Sequence, residues 1–231
     1  MIGEKIIVEF SIVDSMKQLN KFKGDYIMRI TITGGSSRDL NLPEDLSSKE
    51  WNTIVNKIKN QLVEMEATEV LIGLDEGFPM AGALAVIKLK EEKYPIKLTC
   101  ALTGNIYNFF NPINGAFMRH ILTKSDKIVG MLNSYKILTE LKIVGDEESF
   151  ALFKWLKKDK RFDGPYDEPY KKSMARERRK YLFDNTDTVL ICKCENARVS
   201  EDLSYATSRG KNVINFRRGY VLESLDLMCK L

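Results

Sequence analysis

Four stretches of this 231-residue sequence combine residue types that bind anions or handle charge. The first is Gly34-Gly35-Ser36-Ser37-Arg38. Glycines let backbone N–H groups approach an anion, serine hydroxyls add donors, and Arg38 adds charge. Ligand contact and simple turn geometry both account for it. The pattern is neither a G-x-G-x-x-G fingerprint nor a Walker P-loop, so two familiar nucleotide classes lose support. The second stretch is Gly73-Leu74-Asp75-Glu76-Gly77, ahead of an expected helix whose N-terminus favours a negative ligand. Asp75 and Glu76 argue against a bare phosphate there and suit ribose hydroxyls, or simple helix capping. The third runs from Met174 to Asp184 and contains Arg178 and Arg179. The fourth, Lys193 to Glu201, adds Arg198 and Glu201. Arginines on a helix can also be no more than a solvated face.

Other chemistries lack their residues. Cys100, Cys192, Cys194 and Cys229 form no C-x-x-C pair, and the one histidine is His120. Zinc sites use clusters of Cys and His, so no metal site is assigned, and the plentiful carboxylates leave magnesium as the one alternative. His120 has no G-x-S-x-G elbow to serve. The cysteines read as free thiols in a reducing cytosol. No cofactor is called for.

The elements that must position these residues follow from periodicity. Apolar runs over residues 5–13, 26–33, 69–74, 96–102, 127–132, 188–193 and 212–216 read as strands. Helical spacing is expected from a Ser47–Glu50 capping box through Trp51, Ile54, Val55, Ile58, Leu62 and Met65. Pro79 suits the first position of a second helix, which is rich in small residues that permit close packing on a sheet. Further helices are expected over 116–124, 147–158, 170–184 and 200–208. Residues 105–114 and 159–169 read as loops. The second of these contains Phe162, Tyr166 and Tyr170, which would serve either as a lid or as surface packing.

Strands alternating with helices, with short continuous apolar strand runs, predict an α/β, Rossmann-like doubly wound sheet, mainly parallel, with helices on both faces. Ligands of such sheets bind beyond the carboxyl ends of strands where the strand order reverses. The expected organisation is an extension over 1–26, a domain over 27–216 and a tail over 217–231. At 44% hydrophobic and 29% charged residues the chain is not disordered. No apolar run is long enough to span a membrane. Glu4, Glu9 and Asp14 fall where a signal peptide would be apolar, so a cytoplasmic location is expected. The net charge of +4 is unevenly spread. Residues 154–180 hold eleven Lys or Arg against five Asp or Glu, so a basic segment sits on an otherwise slightly acidic chain. Its position near the expected ligand end favours a phosphate-bearing partner.

The order ITITGGSSRDL, EVLIGLDEGF, KEEKYPIKLTCAL, SDKIVGML, ARERRKYLFDNTDTVLI and RGKNVINF resembles the SLOG superfamily over residues 27–216. That superfamily is Rossmann-like. It includes YpsA-like proteins, which are nearest in pattern, LOG-type nucleotide phosphoribohydrolases and the DNA-processing protein A fold. The resemblance aligns Gly34 and Gly35 with the first glycine turn, Gly73 and Gly77 with the second motif, and Arg178 with a family arginine. Arg179 stands where an asparagine is usual. The Pro-Gly-Gly-x-Gly-Thr-x-x-Glu motif falls on Lys193 to Glu201, where only Glu201 matches and Arg198 replaces the threonine.

By the resemblance, Arg178 and Glu201 are the catalytic pair if the chain is an enzyme. The carboxylate would stabilise a ribosyl cation while arginine holds a phosphate. The missing glycines remove the close backbone approach that phosphate needs. The expected function is therefore binding of a nucleotide or nucleotide-derived small molecule, as a sensor or sequestering protein, without turnover. The alternatives are an N-glycosidic hydrolase of nucleoside monophosphates, and a nucleic-acid-binding or protein-interaction module. No nucleic-acid motif supports that last reading. The resemblance also implies a homo-oligomer.

Overall fold

The computed structural model describes residues 27–103, 115–132, 137–141, 168–195 and 197–216. The expected strand over 5–13, the loop over 105–114, the helix over 147–158, most of the aromatic loop over 159–169 and the tail lie outside these residues.

Seven strands form one sheet: β1 (Arg29–Gly34), β2 (Glu69–Ile72), β3 (Lys97–Thr103), β4 (Lys127–Leu132), β5 (Ile137–Leu141), β6 (Thr188–Cys192) and β7 (Asn212–Asn215). Their spatial order is β5-β4-β3-β2-β1-β6-β7. Six run parallel, and β5 joins the edge antiparallel to β4. Five helices are described: α1 (Lys49–Glu64), α2 (Phe78–Glu91), α3 (Gly115–Lys124), α4 (Glu168–Asp184) and α5 (Ala197–Ser208). The fold is the doubly wound, Rossmann-like α/β sheet that the alternation of elements predicts.

The strands read as continuous apolar runs because both faces are covered. Period two still sorts their side chains. Ile30, Ile32, Val70, Ile72, Leu98 and Cys100 pack with α1, α2 and α3 on one face. Leu71, Ala101, Val129, Val189 and Ile191 pack with Leu182 and Phe183 of α4 and Val199 and Ala206 of α5 on the other. The small residues of α2 do what their size suggests. A Cβ on Gly82 would stand 2.6 Å from Ile32 Cδ1, so the helix lies directly on β1.

Two local expectations shift by a residue. The cap of α1 is Ser48, whose side chain accepts from Trp51 N–H at 3.3 Å. Ser47 instead donates its hydroxyl to Asp45 at 2.7 Å. The first residue of α2 is Phe78, with Gly77 at its N-cap and Pro79 one place inside. The sequence reading also missed β5. Its ILTEL run is short and lacks strict alternation.

Candidate functional site

After β1, β2, β3 and β4 build one side of the sheet, α4 returns the chain to the far side of β1, where β6 and β7 add. Strand order therefore reverses between β1 and β6, and their carboxyl ends flank the switch point. Gly34 at the end of β1 is in register with Cys192 at the end of β6. The turn that begins at Gly34 and the stretch that begins at Lys193 thus lie side by side.

The first turn is tightly enclosed. A Cβ on Gly35 would meet Asp39 Cβ at 2.9 Å and Cys194 Sγ at 3.0 Å. Phe78 N–H, at the start of α2, donates to Gly35 O at 3.0 Å. Gly77 has φ of 101°, and a Cβ there would stand 2.3 Å from Gly35 O. The two sequence-predicted glycine motifs are thus one packed unit. The Ser36 amide and hydroxyl both donate to Asp39 Oδ2, at 2.8 and 2.9 Å. Their hydrogen bonds close the turn. Ser37 Oγ is buried without a partner. Arg38 is exposed, as is Glu76.

Beyond β2 the backbone turns sharply at Leu74, whose φ of 50° is a region a branched side chain rarely adopts. Asp75 follows, and its Oδ2 accepts from two arginines. Arg178 Nη2 donates at 2.7 Å, and Arg198 Nη2 is the second donor. Arg178 also donates from Nη1 to Gly73 O at 2.7 Å. Gly73 makes room for it: a Cβ there would be 3.1 Å from Arg178 Cζ. Arg178 is thus a buried, doubly tied residue, with its side chain 10% exposed. The helix surface the sequence suggests for it is instead an inward face. Arg198 is 49% exposed.

A second pair lies alongside. Arg179 Nε donates to Asp202 Oδ1 at 2.5 Å, and its Nη2 is 3.0 Å from Glu201 Oε2. Asp202 is buried and also accepts from Thr33 Oγ1 at 2.5 Å, which ties α5 to the end of β1. Glu201 stays 65% exposed. Sequence reasoning missed Asp202 and Asp39, since nothing in a single sequence marks which carboxylate faces which arginine.

The electrostatics follow from these contacts. Burial penalises the Asp75 carboxylate, yet the charges and hydrogen bonds of Arg178 and Arg198 outweigh that penalty. The carboxyl lies below its ordinary value of 3.8. Burial works against the Arg198 charge too, but Asp75, with Asp202 nearby, raises its pKa. The three arginines and three carboxylates of the cluster balance. What the arrangement offers chemically is anion recognition by the half-exposed guanidinium of Arg198, while the glycines of both turns serve the close packing of the protein on itself.

Of the residues picked from the sequence, Gly34, Gly35, Ser36, Gly73, Asp75, Gly77, Arg178, Arg179, Arg198 and Glu201 converge at this carboxyl edge. A groove of about 530 Å³ lies at the opposite, amino edge between Arg29, Glu69, Tyr94 and Lys97. It contains none of the predicted residues and no switch point. Among the described residues no group of three or more side chains could hold a metal ion. None of the described helices is long and apolar enough to cross a membrane. The chain matches no protein-family model and no curated protein sequence.

Proposed function

We propose that the chain is a cytoplasmic binding protein for a nucleotide or nucleotide-derived small molecule, held at the carboxyl ends of β1 and β6 without turnover. One observation carries the reading. The point where strand order reverses coincides with the Gly34–Gly35 turn, the Gly73–Gly77 turn and Arg198. Ligands of open α/β sheets bind at such points. The resemblance to the SLOG superfamily supports the same ligand class and a homo-oligomeric state.

Binding without turnover is favoured by the state of Arg178. In the hydrolase reading this guanidinium holds the substrate phosphate. Here both of its Nη groups are already engaged inside the protein, on Gly73 O and Asp75, at 2.7 Å each. Arg178 is then a structural anchor.

Thermal shift with AMP, ADP, NAD and ADP-ribose tests the reading. A ligand at 100 times its Kd adds about 2.7 kcal/mol to stability, which raises the Tm by several degrees. A flat profile across the panel would overturn it. Incubation with nucleoside monophosphates, followed by chromatography, separates the two readings. Intact nucleotide is expected, and released base would establish the hydrolase.

A further inference from the structure

We infer that the groove at the amino edge of the sheet is a second binding site, and that it takes a small organic dianion with a flat apolar body, of the aryl dicarboxylate class. This site is independent of the one proposed at the carboxyl edge.

The groove of about 530 Å³ crosses the starts of β1, β2 and β3, where Arg29, Glu69 and Lys97 stand in register, and the turn that joins α2 to β3. Its cations are of two kinds. Arg29 Nε pairs with Glu69 Oε2 at 3.2 Å, and Lys90 Nζ pairs with Asp126 Oδ2 at 2.8 Å. Both carboxylates are engaged further. Thr99 Oγ1 donates to Glu69 Oε1 at 2.8 Å, and Leu98 N–H donates to Asp126 Oδ2 at 2.8 Å. Lys93 and Lys97, by contrast, are exposed and have no side-chain partner among the described residues. Helix capping does not account for them. The last carbonyls of α2 are already taken by backbone amides: Lys88 O by Glu92, Leu89 O by Tyr94 and Lys90 O by Lys93. The paired charges cancel, which leaves the two lysines to be matched by two negative charges on a ligand.

The turn between those lysines is apolar. Tyr94 is half-buried, Pro95 beside it is exposed, and Ile27 at the rim is 49% exposed. A bare inorganic anion would leave this surface in water, whereas a flat ring covers it. Burial, together with the charge of Glu66, raises the Tyr94 hydroxyl above its ordinary value of 10.0, so it stays a neutral donor. The volume falls within the range of about 300–1,000 Å³ of small-molecule sites. Its ten lining residues fall short of the roughly 20–30 that a stable protein interface engages on each side.

Amide shifts of the isotope-labelled full chain, followed during titration with isophthalate, benzoate and sulfate, test the site. Isophthalate is expected to move the amides of Glu69, Ile96 and Lys97 saturably and to leave those of Gly34, Gly73 and Gly77 in place. Benzoate has one charge and is expected to bind about tenfold more weakly, the worth of one charge-assisted hydrogen bond. Sulfate has the charge without the ring and is also expected to bind more weakly. Lys93→Gln and Lys97→Gln change exposed, unpaired residues, and each is expected to weaken isophthalate about tenfold. Tyr94→Ala is expected to weaken isophthalate and leave sulfate unchanged. Groove amides that do not move, or isophthalate binding unchanged in both lysine variants, overturn the site. Isophthalate no tighter than benzoate overturns the dianion, and isophthalate no tighter than sulfate overturns the apolar body. AMP run in parallel separates the two sites: movement confined to the groove amides supports this one and removes the carboxyl-edge reading.

Discussion

Gly77 and Gly210 both have positive φ, at 101° and 64°, yet their neighbourhoods differ. A Cβ on Gly77 would lie 2.3 Å from Gly35 O and 2.6 Å from Ser36 Cα, both backbone atoms. A Cβ on Gly210 would meet nothing within 4 Å. Gly210→Ala therefore carries only the left-handed backbone penalty of about 1 kcal/mol. Gly77→Ala adds a clash that cannot be relieved by a side-chain rotation, so a loss of about 3 kcal/mol or more is expected. Urea unfolding of both variants checks this. Equal losses would mean that the two glycine turns are not the single packed unit described above. The glycines of both motifs were legible as sequence signals because a glycine pair after a strand is locally conspicuous. Their contact was not, because Gly35 and Gly77 are brought together only by the sheet.

The same division between local and non-local information runs through the elements. The capping signal of α1 sat in Ser47-Ser48-Lys49-Glu50, and two adjacent serines offer two registers. The choice is made by tertiary packing. The register with Ser48 as cap directs Trp51, Ile54, Val55, Ile58 and Leu62 inward and lets Trp51 Nε1 donate to Pro43 O at 2.8 Å. Ser48→Ala should therefore cost about 1 kcal/mol, as loss of an N-cap hydroxyl does. Ser47→Ala removes only an exposed bond to Asp45 and should change stability by less than about 0.5 kcal/mol. Denaturant midpoints of the two variants measure the difference, and the reverse order would restore the capping box at Ser47. The strand β5 escaped detection for a related reason. Five residues without strict alternation gain their identity from pairing with β4, and a single sequence does not mark which runs pair. The long helices and central strands were legible because amphipathic spacing and β-branched runs persist over several turns or residues.

At the scale of the molecule, alternation of strand and helix was enough to name the doubly wound sheet, but not the strand order that places the switch point. That order depends on α4 packing against β3 and β4, a tertiary contact that no local signal marks. The carboxyl-edge cluster inherits the same illegibility. Asp75 and Arg178 are 103 residues apart in sequence and meet only because β2 and α4 end at one edge.

The sheet order also sets a gradient of stability that can be measured. β1 pairs with β2 on one side and β6 on the other, and Ile30 and Ile32 are at most 1% exposed. Among the described residues β7 pairs with β6 alone, is four residues long and has exposed asparagines at both ends. Short polar edges of this kind open before the centre does. Native-state hydrogen exchange should therefore find the amides of Thr31 and Ile32 exchanging at least about tenfold more slowly than those of Val213 and Ile214, because local opening at an edge needs less free energy than central unfolding. The Asp202 carboxylate makes the centre more than a geometric one. By accepting from Thr33 and Arg179 it joins β1, α4 and α5, so amides at the carboxyl end of β1 should share the slow class. Asp202→Ala should move Thr33 and Gly34 to faster exchange while Ile30 stays slow. Uniform protection across β1 and β7 would contradict an exposed edge at β7, and an unchanged Thr33 in the variant would contradict the tie through Asp202.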